Sequence, residues 1–399
     1  MAMNAYINKA TLKAICDNSG VQSAYLAQAI NCTPASKVDE WMDMRSNKLP
    51  TFNQAKKIAK KLKIPFAGLY MNPDDIPKQK IPKMTNRRTF PKDYTSDDSA
   101  VNLAIIELLN ARDLTLSSKA EINERIPVFN ISFNYKDDPK KWASEIRRVF
   151  GISLDEQYKC KSARQFYLFV RNQIEEAGIL IHCYTGVDIE SARGLAIYDD
   201  IMPIIGINNE DRYPAKTFTI FHELTHILKR QSSLCNEFFN NFTQQQEEVF
   251  CNAVAGEVLV PYDALSVKLN IRNLNYNFTV KDIDDLANDF SVSKEVITRR
   301  LLDTEHIGEN IYYTFIDEFR KLYESEKAAN KLARKEGRAP NIFPVPSREA
   351  FDKTSTILSV ALFKGYNNDI FTKQDISRYL GIGQRHVAKF LQEVSKWSN

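Results

Sequence analysis

The stretch Phe218-Thr-Ile-Phe-His222-Glu223-Leu-Thr-His226-Ile-Leu228 decides how the rest of the chain is read. It lies in a strongly helical run, residues 215–229, and residues four apart on a helix stand one turn above each other. Both imidazoles therefore project from one face, at a spacing suited to a single metal ion. Zn²⁺ accepts neutral imidazole nitrogens, and a hydrolytic site uses three protein ligands and keeps a fourth position for water. Glu223 follows the first ligand and can reach that water without ligating the ion, which makes it the candidate general base. With five histidines in 399 residues, a chance His-Glu-x-x-His is improbable. Phe218, Phe221, Leu224 and Leu228 supply the apolar side on which such a helix packs beside a cleft.

The third ligand is expected on the next helical run, residues 245–260, which Pro261 ends. Glu248 and Asn252 share a face there, and Ala255 and Gly256 continue it with small residues that let two helices approach around one ion. Glu248 is thus the expected ligand, and Asn252 the residue expected to orient an imidazole. The same steps from Glu247 reach Cys251, Val254 and Ala255, a face better suited to the core. Cys251 is the competitor, because thiolate binds zinc well, but its charge would weaken the ion's pull on water. Glu257, late in an apolar stretch, is either a buried structural acid or a group standing behind the ligands. A hairpin at 195–207 precedes the metal helix; its strand edge either pairs with an extended substrate or simply completes the sheet. The sequence names no oxyanion donor beyond a guess at Tyr213, just upstream of the metal helix, and His182, His306 and His386 are expected to be packing or surface residues.

Composition frames this centre. Hydrophobic residues make up 43% and charged residues 26%, which fits a soluble globular protein and excludes global disorder. The net charge of +4 implies no polyanionic partner by itself, although residues 1–80 hold twelve Lys/Arg against six Asp/Glu. The chain has no apolar run of membrane-spanning length and no apolar signal core at its start. Its six cysteines contain no Cys-x-x-Cys pair, so a reduced, cytoplasmic setting is expected.

Residues 6–70 read as consecutive short helices, and those at 23–44 form a helix-turn-helix pattern. Lys37, Arg45, Lys56, Lys57 and Lys60 are its candidate DNA contacts. Asp39, Glu40 and Asp43 would oppose phosphates, so DNA binding and protein docking both stay open. Pro73, Pro77, Pro82 and Pro91 mark residues 72–98 as a linker. Helix-turn-helix-like units recur at 281–302 and 373–394. The expected organisation is a module at 1–72, a linker and helical connector at 73–138, a catalytic core at 139–270, a helical subdomain at 271–323 and a C-terminal helical region at 324–399.

Together these residues carry a resemblance. The run from about 140 to 305 resembles the ImmA/IrrE family of metallopeptidases through Met202-Pro203-Ile-Ile-Gly-Ile207-Asn208, the His222–His226 motif, and Glu248-x-x-Cys251-Asn252-Ala-Val-Ala-Gly-Glu257-Val-Leu-Val-Pro261. Phe290-Ser-Val-Ser293 followed by Arg300-Leu301 continues the likeness. The segment Leu49-Pro50-Thr51-x-x-Gln54 is similar to the repressor-type helix-turn-helix often fused to such peptidases. The resemblance implies His222, His226 and Glu248 as zinc ligands and Glu223 as base. It also implies cleavage of a helix-turn-helix repressor that controls stress or mobile-element genes. Thr225 stands where the family usually has Gly, Cys251 and Gly256 where it has Ala, and Lys216-Thr217 displaces a basic residue by one. The expected fold is α+β and mainly helical, with a small zincin-like (gluzincin-type) core holding a short mixed sheet. The alternative is a DNA-binding regulator or antitoxin with a structural or vestigial zinc site, against which the intact Glu223 argues.

Overall fold

Among the described residues, five short strands organise the fold: β1 (Thr85–Asn86), β2 (Leu180–Tyr184), β3 (Gly194–Ile197), β4 (Ile204–Asn208) and β5 (Ser233–Cys235). The computed structural model describes residues 3–76, 85–86, 97–126, 128–133, 138–235, 246–274, 277–336 and 345–397; of the linker prolines, Pro77, Pro82 and Pro91 lie outside these. The strands form one mixed sheet in the order β1-β5-β3-β4-β2. β2 runs parallel to β4, β3 is antiparallel to both β4 and β5, and β1 is parallel to β5. This small mixed sheet in a mainly helical chain is the α+β architecture expected from the sequence.

Alternation along the strands feeds two cores. Ile181, Cys183, Ala196, Ile205 and Ile207 face a core shared with Phe218, Phe221 and Leu224 of the helix Tyr213–Leu228. Leu180, Tyr184, Leu195, Ile197 and Ile204 face the other side, against Val101, Ile105 and Leu108 of the long helix Asp97–Glu121 and Leu358 and Leu362 of Thr356–Asn367. Because helices cover both faces, β2, β3 and β4 are buried throughout and read as continuous apolar runs. Each such side chain contributes about 1.5–3 kcal/mol by leaving water. Gly206 leaves room for the long helix: a Cβ there would lie 2.3 Å from Leu108 Cδ1.

The N-terminal helices Lys9–Ser19, Ser23–Ala29, Ser36–Met42 and Phe52–Lys61 surround their own core of Leu12, Leu26, Val38, Trp41 and Ile58. Local signals set their limits. The Asn8 side chain caps the first helix, and Gly20 ends it at φ 59°. Thr51 and Gln54 form a reciprocal capping box on the fourth. Leu103 and Ile106 of the long helix complete this core, so that one helix serves both the module and the sheet. At their junction the half-buried Glu107 takes Lys63 at 3.0 Å and Lys353 at 2.7 Å.

The core on the metal-helix side runs from Phe129 to Val394. The pair Val280–Phe290 and Lys294–Asp303 turns through Ser291 at φ 56° and buries Ile283, Leu286, Phe290, Ile297 and Leu301 there. The pair Lys373–Leu380 and Gln384–Val394 turns through Gly381 and buries Ile376, Val387 and Phe390 in the same core. Both units thus spend their apolar faces on intramolecular packing. The helices Leu154–Lys159, Tyr262–Ile271, Pro346–Lys353 and Thr356–Asn367 and the strands β1 and β5 go beyond the sequence reading.

Candidate active site

The helix Tyr213–Leu228 is buried from Lys216 to its end, wedged between the sheet, the helix Ala163–Glu175 and the helix Gln246–Leu259. Its Pro214 occupies the first turn, where a missing N–H costs nothing. The ring centroids of His222 and His226, one turn apart, lie 5.1 Å from each other. Glu248, in the first turn of Gln246–Leu259, meets both: Oε2 is 3.1 Å from His222 Nε2, and Oε1 is 3.5 Å from His226 Nε2. One ligand atom from each of the three residues lies within 4.8 Å of the others. Glu247 turns instead to Lys229 at the end of the metal helix, 3.9 Å away.

The backs of the imidazoles are also held. His222 Nδ1–H donates to Asn252 Oδ1 at 2.9 Å, so Nε2 is the ring nitrogen that faces Glu248. Cys251 Sγ lies 3.8 Å from His226 Nδ1, the nitrogen remote from the carboxylate. Burial, reinforced by Glu248, pushes the Cys251 thiol well above its usual range, so it stays protonated. Burial works against ionisation of Glu248 too, but the hydrogen bonds and charges of the two histidines outweigh it and hold the carboxyl well below the usual range. For His222 the balance runs the other way: burial lowers its pKa, Glu248 raises it, and the net shift is upward.

Glu223 is fully buried. Ser233 Oγ, at the start of β5, donates to its Oε2 at 2.9 Å, while Oε1 has no protein partner. Burial lifts its pKa above the usual carboxylate range against the pull of His222 and His226. Gly194 of β3 makes room for it, since a Cβ there would lie 2.3 Å from Glu223 Oε1. Gly194 and Ser233 were missed in the sequence. Both matter through tertiary contact alone, and neither carries a local signal.

Other candidates fall elsewhere. Glu257 pairs with Arg300 and accepts from the Tyr262 N–H at 2.9 Å, so it is the structural acid of the two alternatives and does not stand behind the ligands. Tyr213 donates to Asp352 Oδ2 at 2.5 Å, nine residues before His222 and about 13 Å along the axis, which removes it as an oxyanion donor. The 195–207 hairpin is interior: β3 pairs with β5, β4 pairs with β2, and the Tyr198 N–H donates to Ser232 Oγ. Its edge is therefore already taken by the segment that follows the metal helix, and it completes the sheet. His182 is buried against the Ser355 N–H, His306 bonds Thr304 Oγ1, and His386 accepts from Arg385 Nε.

The basic residues of the N-terminal module divide. Lys37 donates to the Thr33 carbonyl of its own turn, Arg45 is exposed, and Lys56 lies over the Phe52 ring. Lys57 and Lys60 line a hollow of about 310 Å³ that Thr185 and Gly186, after β2, close from the other side.

Two imidazoles and one carboxylate converging from two helices, with a buried carboxylate oxygen left unpartnered beside them, fit a hydrolytic Zn²⁺ site by donor type and number. Among the described residues no helix is long and apolar enough to cross a membrane. Residues 174–302 match the family described as the IrrE N-terminal-like domain of M78 peptidases, a span that includes the whole cluster. No curated protein and no solved structure matches the chain.

Proposed function

We propose that this chain, which carries an IrrE N-terminal-like peptidase domain, is a zinc-dependent endopeptidase that cuts a peptide bond in a protein partner. The observation that carries the reading is the meeting of His222, His226 and Glu248 with Glu223 buried beside them. Those three residues would hold the ion, which when bound polarises the scissile carbonyl and acidifies water. Glu223 takes the proton of the attacking water at its free Oε1 and later returns it to the leaving amine. Ser233 and the gap at Gly194 fix that carboxylate, and Asn252 fixes the tautomer of His222. A base in this position has no use in a purely structural zinc site, which favours a peptidase over a regulator with a vestigial site.

The substrate we propose is a helix-turn-helix transcriptional repressor, met in the cytoplasm, so that cleavage releases stress or mobile-element genes. The resemblance of the module and core to repressor-cleaving peptidases supports this. Glu223→Gln should trap the partner, and mass spectrometry of the trapped complex identifies it. The reading expects a helix-turn-helix protein that the wild type cuts at one or a few bonds. A trapped partner that the wild type leaves intact would overturn it. The N-terminal module is proposed to contact DNA through Lys37, Arg45, Lys56, Lys57 and Lys60. Such binding must weaken steeply with salt, and a salt-insensitive shift of promoter DNA would assign the module to protein docking.

A further inference from the structure

The hollow at the seam between the N-terminal module and the sheet carries charge that peptide hydrolysis does not use. It measures about 310 Å³, and Lys57, Lys60, Lys61 and Lys63 line it from the module. Thr185 and Gly186, which follow β2, line it from the core, and no Asp or Glu is among the described residues around it. Three of the lysines belong to the helix Phe52–Lys61, on which residues three and four apart are neighbours. Lys57 stands in that relation to both Lys60 and Lys61, so like charges crowd one face. Gly186, at φ 80°, brings the core's backbone against them: a Cβ there would lie 3.6 Å from Lys61 Nζ.

The protein settles the charge of only one of the four. Lys63 pairs with Glu107 at 3.0 Å, and that carboxylate is then fully engaged, since it also takes Lys353 at 2.7 Å and the Thr185 N–H at 3.3 Å. The Lys61 ammonium lies 4.9 Å from the Tyr25 ring centroid, a contact that holds a cation in place without neutralising it. Lys57 and Lys60 are exposed and, among the described residues, have no carboxylate within ion-pair distance. The negative end of the helix dipole accounts for a cation in the last turn. It does not account for Lys57, a turn earlier, or for the walls that enclose the group. A concave surface lined by one sign of charge focuses its field on the space between.

We propose that this hollow binds a small ligand bearing two or more linked phosphate groups, held by Lys57, Lys60 and Lys61. A lysine ammonium is a compact point charge well suited to phosphate. A single phosphate ester carries about two negative charges, fewer than the three ammonium groups, and linked phosphates match them. The volume stands at the small end of ligand sites and is walled by the core, so it admits such a chain and not a duplex. Lys57 and Lys60 are also proposed DNA contacts, so ligand and DNA would exclude each other there. The site does not depend on the peptidase reading.

The test is calorimetric titration of the full chain with tripolyphosphate, with orthophosphate and with a promoter duplex, all at one ionic strength. It is run for the wild type, Lys57→Gln, Lys60→Gln and Lys13→Gln, with thermal melts as a folding control. The expected result is saturable binding of one tripolyphosphate per chain, tighter than orthophosphate. Lys57→Gln and Lys60→Gln should each weaken it about tenfold. Lys13 is exposed on the first helix and outside the hollow, so Lys13→Gln should bind as the wild type does. No saturable binding at millimolar tripolyphosphate, a signal that neither hollow variant weakens, or an equal loss in Lys13→Gln overturns the site. Orthophosphate binding as tightly as tripolyphosphate overturns the linked phosphates. Duplex binding that needs Lys57 and Lys60, with no tripolyphosphate binding, gives the hollow to DNA and overturns the small ligand.

Discussion

Replacing Gly194 by Ala puts a number on how tightly Glu223 is held. The added Cβ would lie 2.3 Å from Glu223 Oε1, 2.9 Å from its Cδ and 2.5 Å from Thr219 Cγ2, where ordinary contact begins near 3.4 Å. The carboxylate must therefore retreat by about 1 Å, since β3 is fixed by partners on both sides. A misplacement of that size costs about 10²-fold in rate, or about 2.7 kcal/mol on the barrier. None of the three metal-cluster side chains is among the nearest atoms, so zinc content should stay at the wild-type level. Overpacking also costs about 1–3 kcal/mol of stability. Removing the carboxylate in the double variant Gly194→Ala/Glu223→Ala should restore part of the lost melting temperature. The assay is single-turnover cleavage of the trapped partner, alongside elemental analysis and a thermal melt. A folded, zinc-loaded Gly194→Ala that cuts within threefold of the wild type would refute the reasoning.

Further substitutions probe the cluster and the junction. Among Glu248→Ala, Glu247→Ala and Cys251→Ser, only the first should lose zinc and activity together; an empty site in Cys251→Ser with metal retained in Glu248→Ala would reverse the assignment. Glu107 is a test by pH. Burial opposes its ionisation, but Lys353 and Lys63 prevail and bring its pKa down to about 2. A depressed folded pKa means stability that is full above the unfolded value near 4.5 and is lost as pH falls toward 2, about 3 kcal/mol in all. Glu107→Gln should flatten the stability curve across that window, and parallel curves for wild type and variant would contradict it.

Much of the fold is written in local signals. The capping boxes at Thr51, Thr279 and Thr372 and the left-handed Gly20 and Gly381 mark helix limits that the sequence alone places within a few residues. The candidate site is legible for the same reason, because helical phase puts His222 with His226 and Glu248 with Asn252. What escapes the sequence depends on distant contact. β5 is three residues long and β1 two, too short for any period to show. Pro261 reads as the stop of one helix and is also the N-cap of the next. Glu257 looks like a site acid until Arg300, 43 residues later, pairs with it.

The most direct test measures zinc and cleavage on the same preparations of wild type, Glu223→Gln and the double variant His222→Ala/His226→Ala. The wild type should hold about one zinc per chain and cut its trapped partner, because the described residues contain a single such cluster. Glu223→Gln should keep the zinc and lose the cut, and the double variant should lose both. Undiminished cleavage by Glu223→Gln, or any cleavage by the metal-free double variant, would contradict the account.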